Sequence, residues 1–403
     1  MDSSNELFNR FRNKLKVTSA LTQHPEAAQA VGEIAGQILE SSSSQPNILL
    51  NFITPAYEND ISEINKTLYD LINPFSSFTC ISEGIIGINQ EVEIGPGISS
   101  MALNCDDAIM LDLSFFSTLN LKSETDKQEW TSYSTTWSDA LGQTPSFMIL
   151  IANPFRFDIG SYMQWHEEYF GDVPVIGSLM YGTGPQDQRL FAGENMKLVT
   201  AIALLFGQQS VVKPVYSYSF SPVGEPFTVT GAEEAEIISL GNKNPLDYLI
   251  RLATTKFSKN QIRLVNNGML KLGKVINDSK LTFRPDDFIP LDIIGVKQDI
   301  GSLIVESTIE IGSTVQFLLD DPVSASNDFA DVLGANKAKA AILFPNEFRG
   351  KGFFGKPHQD AKTLSTTIAP NAVCGHFSKL PFCYSNRIVQ QSKNAISVAV
   401  FES

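Results

Sequence analysis

Three stretches of the chain share one order of apolar and polar positions. A short apolar run ends at a proline, an amphipathic stretch follows, a second apolar run reaches a glycine, and a further apolar run closes the unit. The first copy reads NILLNFITP, ending at Pro55, then ISEINKTLYDLI, FTCISEGIIG with Gly84, and ISSMAL over 98–103. The second reads FMILIANP, ending at Pro154, then DIGSYMQWHEEYF, VPVIG with Gly177, and LVTAIALLF over 198–206. The third reads AAILFP, ending at Pro345, then QDAKTLSTTI, NAVCG with Gly375, and AISVAVF over 395–401. The short runs predict buried strands and the 3–4 spacing between them predicts helices, so each copy is a strand–helix–strand unit. In such a unit the loop leaving the first strand and the glycine turn after the second meet at one sheet edge, where a ligand would sit.

The remaining segments are of mixed type. HPEAAQAVGEIAGQILE places Ala28, Val31, Ile34 and Ile38 on one helical face, and the serines at 41–44 form a connector. DDAIMLDLSF reads as a strand and DKQEWTSYSTTWSDALG as a helix. Residues 207–245 predict strands broken by turns and a boundary. Next, NPLDYLIRLATTKF predicts a helix with Asn244 at its N-cap and Pro245 in its first turn. SLIVESTIEIGSTVQFLLDD alternates as antiparallel strands do, and SASNDFADVLGANKAKA predicts a helix leading into the third unit. Hairpins mixed with strand–helix–strand units predict an α/β protein of mixed sheets covered by helices, in two domains after an N-terminal helical segment at 1–40. The divisions fall at 41–230 and 231–403, with strand order left open.

Composition narrows the function. With 43% hydrophobic and 18% charged residues over 403 positions, the chain has large buried faces. A net charge of −14 argues against nucleic acid and anionic membranes as partners. The N-terminus lacks an apolar signal core and no run is long enough to span a bilayer, so a cytoplasmic protein without membrane insertion is expected. Cys80, Cys105, Cys374 and Cys383 form no CxxC pair and read as buried thiols in a reducing compartment.

No catalytic constellation emerges. Glu83 and Glu93 are close in sequence, but read as solvent-facing or capping acids. His24, His166, His358 and His376 have no metal-ligand spacing, QWHEEYF is not HExxH, and GTG at 182–184 lacks the rest of a phosphate loop. Cys374 and His376 alternate on one strand, and no GxSxG elbow is present. No enzyme activity and no cofactor are expected. ILFPNEFRGKGFFGKPHQDA gathers positive charge in an acidic chain: Arg349 is a fork donor, Gly350 offers backbone amides, Phe353, Phe354 and Phe377 could wall a pocket, and Asp360 stands where a helix N-cap would.

These residues carry a resemblance. CISEGIIGINQEVEIGPGISSMAL, VPVIGSLMYG, RLF, LVTAIALLF and SFSPVGEPFTVT are similar to the FIST N domain, and ILFPNEFRGKGFFGKPHQDA, AVCGHFS and AISVAVF to the FIST C domain. The resemblance implies a FIST N-type domain at 41–230 and a FIST C-type domain at 231–403. It also implies a sensory, signal-transduction role with a small-molecule ligand such as an amino acid, and a protein partner in signalling. Haem-linked nitric oxide sensing and an interaction scaffold related to F-box substrate receptors are the alternatives it carries. Where many relatives have a GE-x-GP turn, this chain reads GHFSKLPFCYSN, which implies a changed specificity. The expected ligand site comprises Glu83 for an amine and Arg349 for a carboxylate. Gly84, Gly177, Gly350 and Gly375 would allow close approach, with Phe354, Phe377 and Asp360 around them.

Overall fold

A computed structural model describes residues 15–42, 44–117, 137–180, 184, 188–280, 282–334, 338–385 and 387–402. The polar start of the chain, Gly182 and most of the helix expected at 126–142 lie outside the described residues; 137–141 are helical. The chain forms two compact units, residues 1–217 with 329–403, and residues 218–328. The family divisions at 40 and 230 partition the chain differently.

The first unit is built from three copies of one sheet. The first copy comprises β1 (Lys16–Thr22), α1 (Ala27–Ser41), β2 (Ile48–Ile53), α2 (Ile61–Ile72), β3 (Ser76–Ile81), the hairpin β4 (Ile85–Gly87) and β5 (Gln90–Val92), and β6 (Ile98–Asn104). The second comprises β7 (Ala108–Asp112), β8 (Phe147–Ala152), α3 (Ile159–Phe170), β9 (Val175–Leu179), the short hairpin β10 (Leu190–Ala192) and β11 (Lys197–Leu198), and β12 (Ala201–Phe206), followed by β13 (Val212–Ser217). Strands β2, β8 and β12 are buried along their whole length, which explains their apolar runs, broken only by Asn51 in β2. Helix α2 presents Ile61, Ile64, Leu68 and Ile72 to the core at 3–4 spacing, each burial contributing about 1.5–3 kcal/mol.

The second unit interrupts the repeats. It is a closed barrel, in the order β14-β15-β18-β17-β16-β19, of β14 (Phe220–Glu233), β15 (Glu236–Leu240), β16 (Leu270–Val275), β17 (Phe288–Lys297), β18 (Ser302–Val305) and β19 (Thr314–Asp320). Helices α4 (Pro245–Thr255) and α5 (Lys259–Asn266) follow β15, and Asn244 caps α4 as expected, its Oδ1 accepting from Leu246 N at 2.9 Å. Inside the barrel unit Lys271 and Asp320 are a buried ion pair at 3.2 Å.

Helix α6 (Pro322–Leu333) returns the chain to the first unit. The third copy follows: β20 (Ala338–Pro345), the short α7 (Lys351–Phe354), α8 (Gln359–Ile368), β21 (Ala372–His376), the hairpin β22 (Leu380–Ser385) and β23 (Ile388–Gln391), and β24 (Ile396–Glu402).

The three sheets have the same order: β1-β6-β2-β3-β10-β11, β7-β12-β8-β9-β22-β23, and β13-β24-β20-β21-β4-β5. In each, the two strands flanking the helix are parallel and all other neighbours antiparallel. The hairpin at each edge comes from another repeat. The first repeat supplies it to the third sheet, the third to the second, and the second to the first, so the exchange closes a ring.

Candidate functional site

Hydrogen bonds fix which residues correspond among the repeats. Thr54, Asn153 and Asn346 follow the first strand, and their amides donate to Gly97, Thr200 and Ala395 carbonyls. Three residues before each, Asn51, Leu150 and Leu343 face Thr79, Gly177 and Gly375 in register. Gly177 and Gly375 are therefore equivalent, whereas Gly84 lies beyond β3 and Thr79 holds its expected place. A Cβ on Gly177 would stand 2.0 Å from Leu150 O, and one on Gly375 2.0 Å from Leu343 O. These glycines serve close approach of the protein's own backbone rather than of a ligand. Thr79 instead uses its hydroxyl, donating to Asn65 Oδ1 at 2.6 Å.

Three residues after the turn stand Tyr57, Arg156 and Arg349. In the third repeat Asn346 Oδ1 accepts from Phe348 N at 3.1 Å, an Asx turn that brings Arg349 inward. Arg349 is fully buried, and its Nε and Nη2 donate to the two oxygens of Asp360, both at 2.8 Å. Nη1 donates to Asn394 O at 2.8 Å, and the guanidinium lies 5.3 Å from the Phe354 ring centroid. The carboxylate that fills the Arg349 fork is thus Asp360 of this chain, not one brought by a ligand. Asp360 is not the N-cap of α8: that place belongs to His358, at φ 64°, and Asp360 lies in the first turn.

The hairpin of the first repeat closes this cluster with two acids, Glu91 in β5 and Glu93 just after it. Glu91 Oε1 accepts from Ala361 N at 2.8 Å in the first turn of α8, and Glu91 N donates to His358 Nδ1 at 3.0 Å. Burial, and then the charge of Asp360, pushes the Glu91 carboxyl up to about 8; its Oε2 has no partner. Glu93 accepts from Lys351 N at 2.8 and 3.0 Å, and a Cβ on Gly350 would come within 2.2 Å of Glu93 Oε2. A methyl at Gly350 would therefore displace the Glu93 carboxylate from Lys351 N.

Of the expected residues, Arg349, Gly350, Phe354 and Asp360 come together. Gly84 and Phe377 meet elsewhere, with Phe377 N donating to Gly84 O at 3.0 Å. Glu83 is half-exposed and pairs with Arg189 at 2.7 Å. His376 is buried, stacked on Phe52 at 5.0 Å and edge-on to Phe344 at 5.3 Å, and burial lowers its pKa to about 4. Its Nδ1 lies 3.0 Å from Phe377 O, and its Nε2 is buried without a hydrogen-bond partner. The four cysteines are free and buried, and among the described residues no group of three or more His, Cys, Asp or Glu could hold a metal.

The second repeat differs at the same position. Asp360 lies fifteen residues before Gly375, and fifteen before Gly177 stands Tyr162, whose hydroxyl donates to Met148 Sδ at 2.9 Å. The side chain of Arg156, the counterpart of Arg349, is exposed and has no hydrogen bond or ion pair among the described residues. It lines an open cleft of about 870 Å³ together with Phe116, Phe155, Phe157, Asp158 and Thr200. Asp158 caps α3 by accepting from Ser161 N at 3.1 Å. Thr200 is nine-tenths buried and its Oγ1 has no partner. Arg156, Thr200 and Glu91 were not among the expected site residues; the N-x-F-R shared by 153–156 and 346–349 is the sequence signal for the first.

The cleft lies wholly within a stretch of known kind. Residues 47–243 match the FIST N domain. This is a domain family of sensory type. The FIST N match runs from β2 to β15, leaving β1 and α1 outside it, and includes Glu91, Arg156 and Thr200. The chain is also similar to an uncharacterized protein of Mycobacterium bovis, 24% identical over 363 residues that cover 88% of this chain and 90% of the relative. An uncharacterized protein of Mycobacterium tuberculosis is 22% identical over 375 residues, covering 90% and 94%. Among the described residues no helix is long and apolar enough to cross a membrane.

Proposed function

We propose that this chain is a non-enzymatic sensory protein that binds a small polar metabolite, such as an amino acid, and signals through a protein partner. The open cleft beside β8 and α3 carries the reading. It combines phenylalanine side chains with an unpartnered arginine side chain and an unpartnered buried hydroxyl, the composition of a small-molecule site. The third repeat, with its RG motif and downstream Asp360, would form a FIST C-type domain with the residues from 231 onward. Four buried thiols fit a cytoplasmic setting.

Thermal unfolding against a panel of amino acids and other small metabolites tests this. A ligand at about 100 times its dissociation constant adds about 2.7 kcal/mol to the folded state and raises the melting point by a few degrees. A selective rise with one chemical class is expected. No rise with any compound at millimolar concentration would remove the small-molecule reading and favour an interaction scaffold.

A further inference from the structure

The two equivalent arginines form an internal comparison. Arg349 and Arg156 occupy the same place after the first strand of their repeats, three residues past an asparagine that forms the same Asx turn. The Arg349 fork is filled by the Asp360 carboxylate through two parallel bonds. In the second repeat the corresponding residue is Tyr162, and the Arg156 fork faces solvent beside the cleft. The protein thus contains, in its third repeat, a filled version of the arrangement its second repeat leaves open.

We infer that Arg156 binds the carboxylate of a small ligand with a flat apolar body, which supplies from outside what Asp360 supplies within the third repeat. The inference rests on reading the protein as a small-molecule binder. The fork geometry of guanidinium favours a planar two-oxygen anion. Phe155, the exposed phenylalanine of the cleft, suits an aromatic or similarly flat body next to it. Thr200 also lines the cleft, its Oγ1 buried and without a hydrogen-bond partner. Asp158 is engaged by Ser161 and lines the cleft, so it disfavours multiply charged anions more than a single carboxylate.

Calorimetric titration of the full chain with phenylacetate, phenylacetamide and inorganic phosphate tests the assignment, with Arg156→Gln and Thr200→Val as variants. Phenylacetate should bind, the amide and phosphate at least tenfold more weakly, and Arg156→Gln should weaken phenylacetate by more than tenfold. Because Arg156 is exposed and unpartnered, the variant should melt at the wild-type temperature, so a lost affinity reports the site. Equal binding of acid and amide, tighter binding of phosphate, or an unchanged affinity in Arg156→Gln would each overturn the inference. If the acid shows no binding while another metabolite raises the melting point without needing Arg156, the ligand class and site fall and the small-molecule reading stands. No binding by anything removes both.

Discussion

Arg349 and Arg156 share a local sequence and differ in what surrounds them, so the same substitution should act differently at the two sites. Arg349→Ala leaves the Asp360 carboxylate buried without its partner, which costs about 3–5 kcal/mol. A chemical denaturation midpoint well below wild type is expected, against no change for Arg156→Gln. Glu91 sets a second residue-scale test. Its folded carboxyl is raised from 4.5 to about 8, so the folded chain keeps a proton that the unfolded chain releases above about pH 4.5. Stability from this group is full below that pH and is lost as pH rises towards about 8. Glu91→Gln should remove this slope, seen as a flatter dependence of melting temperature on pH between 5 and 8. His166 and His376 act in the opposite sense. Both are held neutral, near 4, by burial, so their contribution is present above 6.5 and is lost as pH falls through about 4.

At the scale of elements, the repeats depend on how closely the second strand approaches its neighbours. Gly177→Ala and Gly375→Ala each force a methyl to 2.0 Å from a backbone carbonyl that cannot swing aside as a side chain would. Each should destabilise by about 3 kcal/mol or more, because strands on both sides fix the carbonyl. A Thr79→Ala change in the first repeat should cost about 1–3 kcal/mol through the partners left behind, Asn51 and Asn65. Thermal melts of these variants would separate the two kinds of defect. The strands and helices themselves were legible as patterns: α4 has its cap and proline where Asn244 and Pro245 predicted them. The glycine of the first block was placed differently because Gly84 follows an apolar run as Gly177 and Gly375 end theirs. Only the hydrogen-bond register shows that Thr79 is their equivalent.

For the whole molecule, the ring of exchanged hairpins means that no repeat completes its own sheet. Residues 329–403 lack the β4–β5 edge, and with it Glu91 and Glu93, so this fragment should remain unfolded when expressed alone, with no cooperative melt by circular dichroism. The barrel has its own closed strand ladder and its own core. Its two ends lie together, Tyr218 N donating to Asp328 Oδ2 at 3.0 Å, so residues 218–328 alone should give a single cooperative unfolding transition.

The sequence by itself determined three strand–helix–strand units, their helical faces and the mixed α/β class, because apolar periodicity and caps are local properties of the chain. It also brought Arg349, Gly350, Phe354 and Asp360 to attention as one segment. The tertiary structure alone decided that the Arg349 fork is already filled, that Glu91 and Glu93 of the first repeat seal that cluster, and that Arg156 is the arginine left open. These outcomes depend on strand register and on contacts made across more than 250 residues of chain, β4 with β21 and Lys351 with Glu93 among them. No local pattern encodes which distant carboxylate reaches a given arginine first.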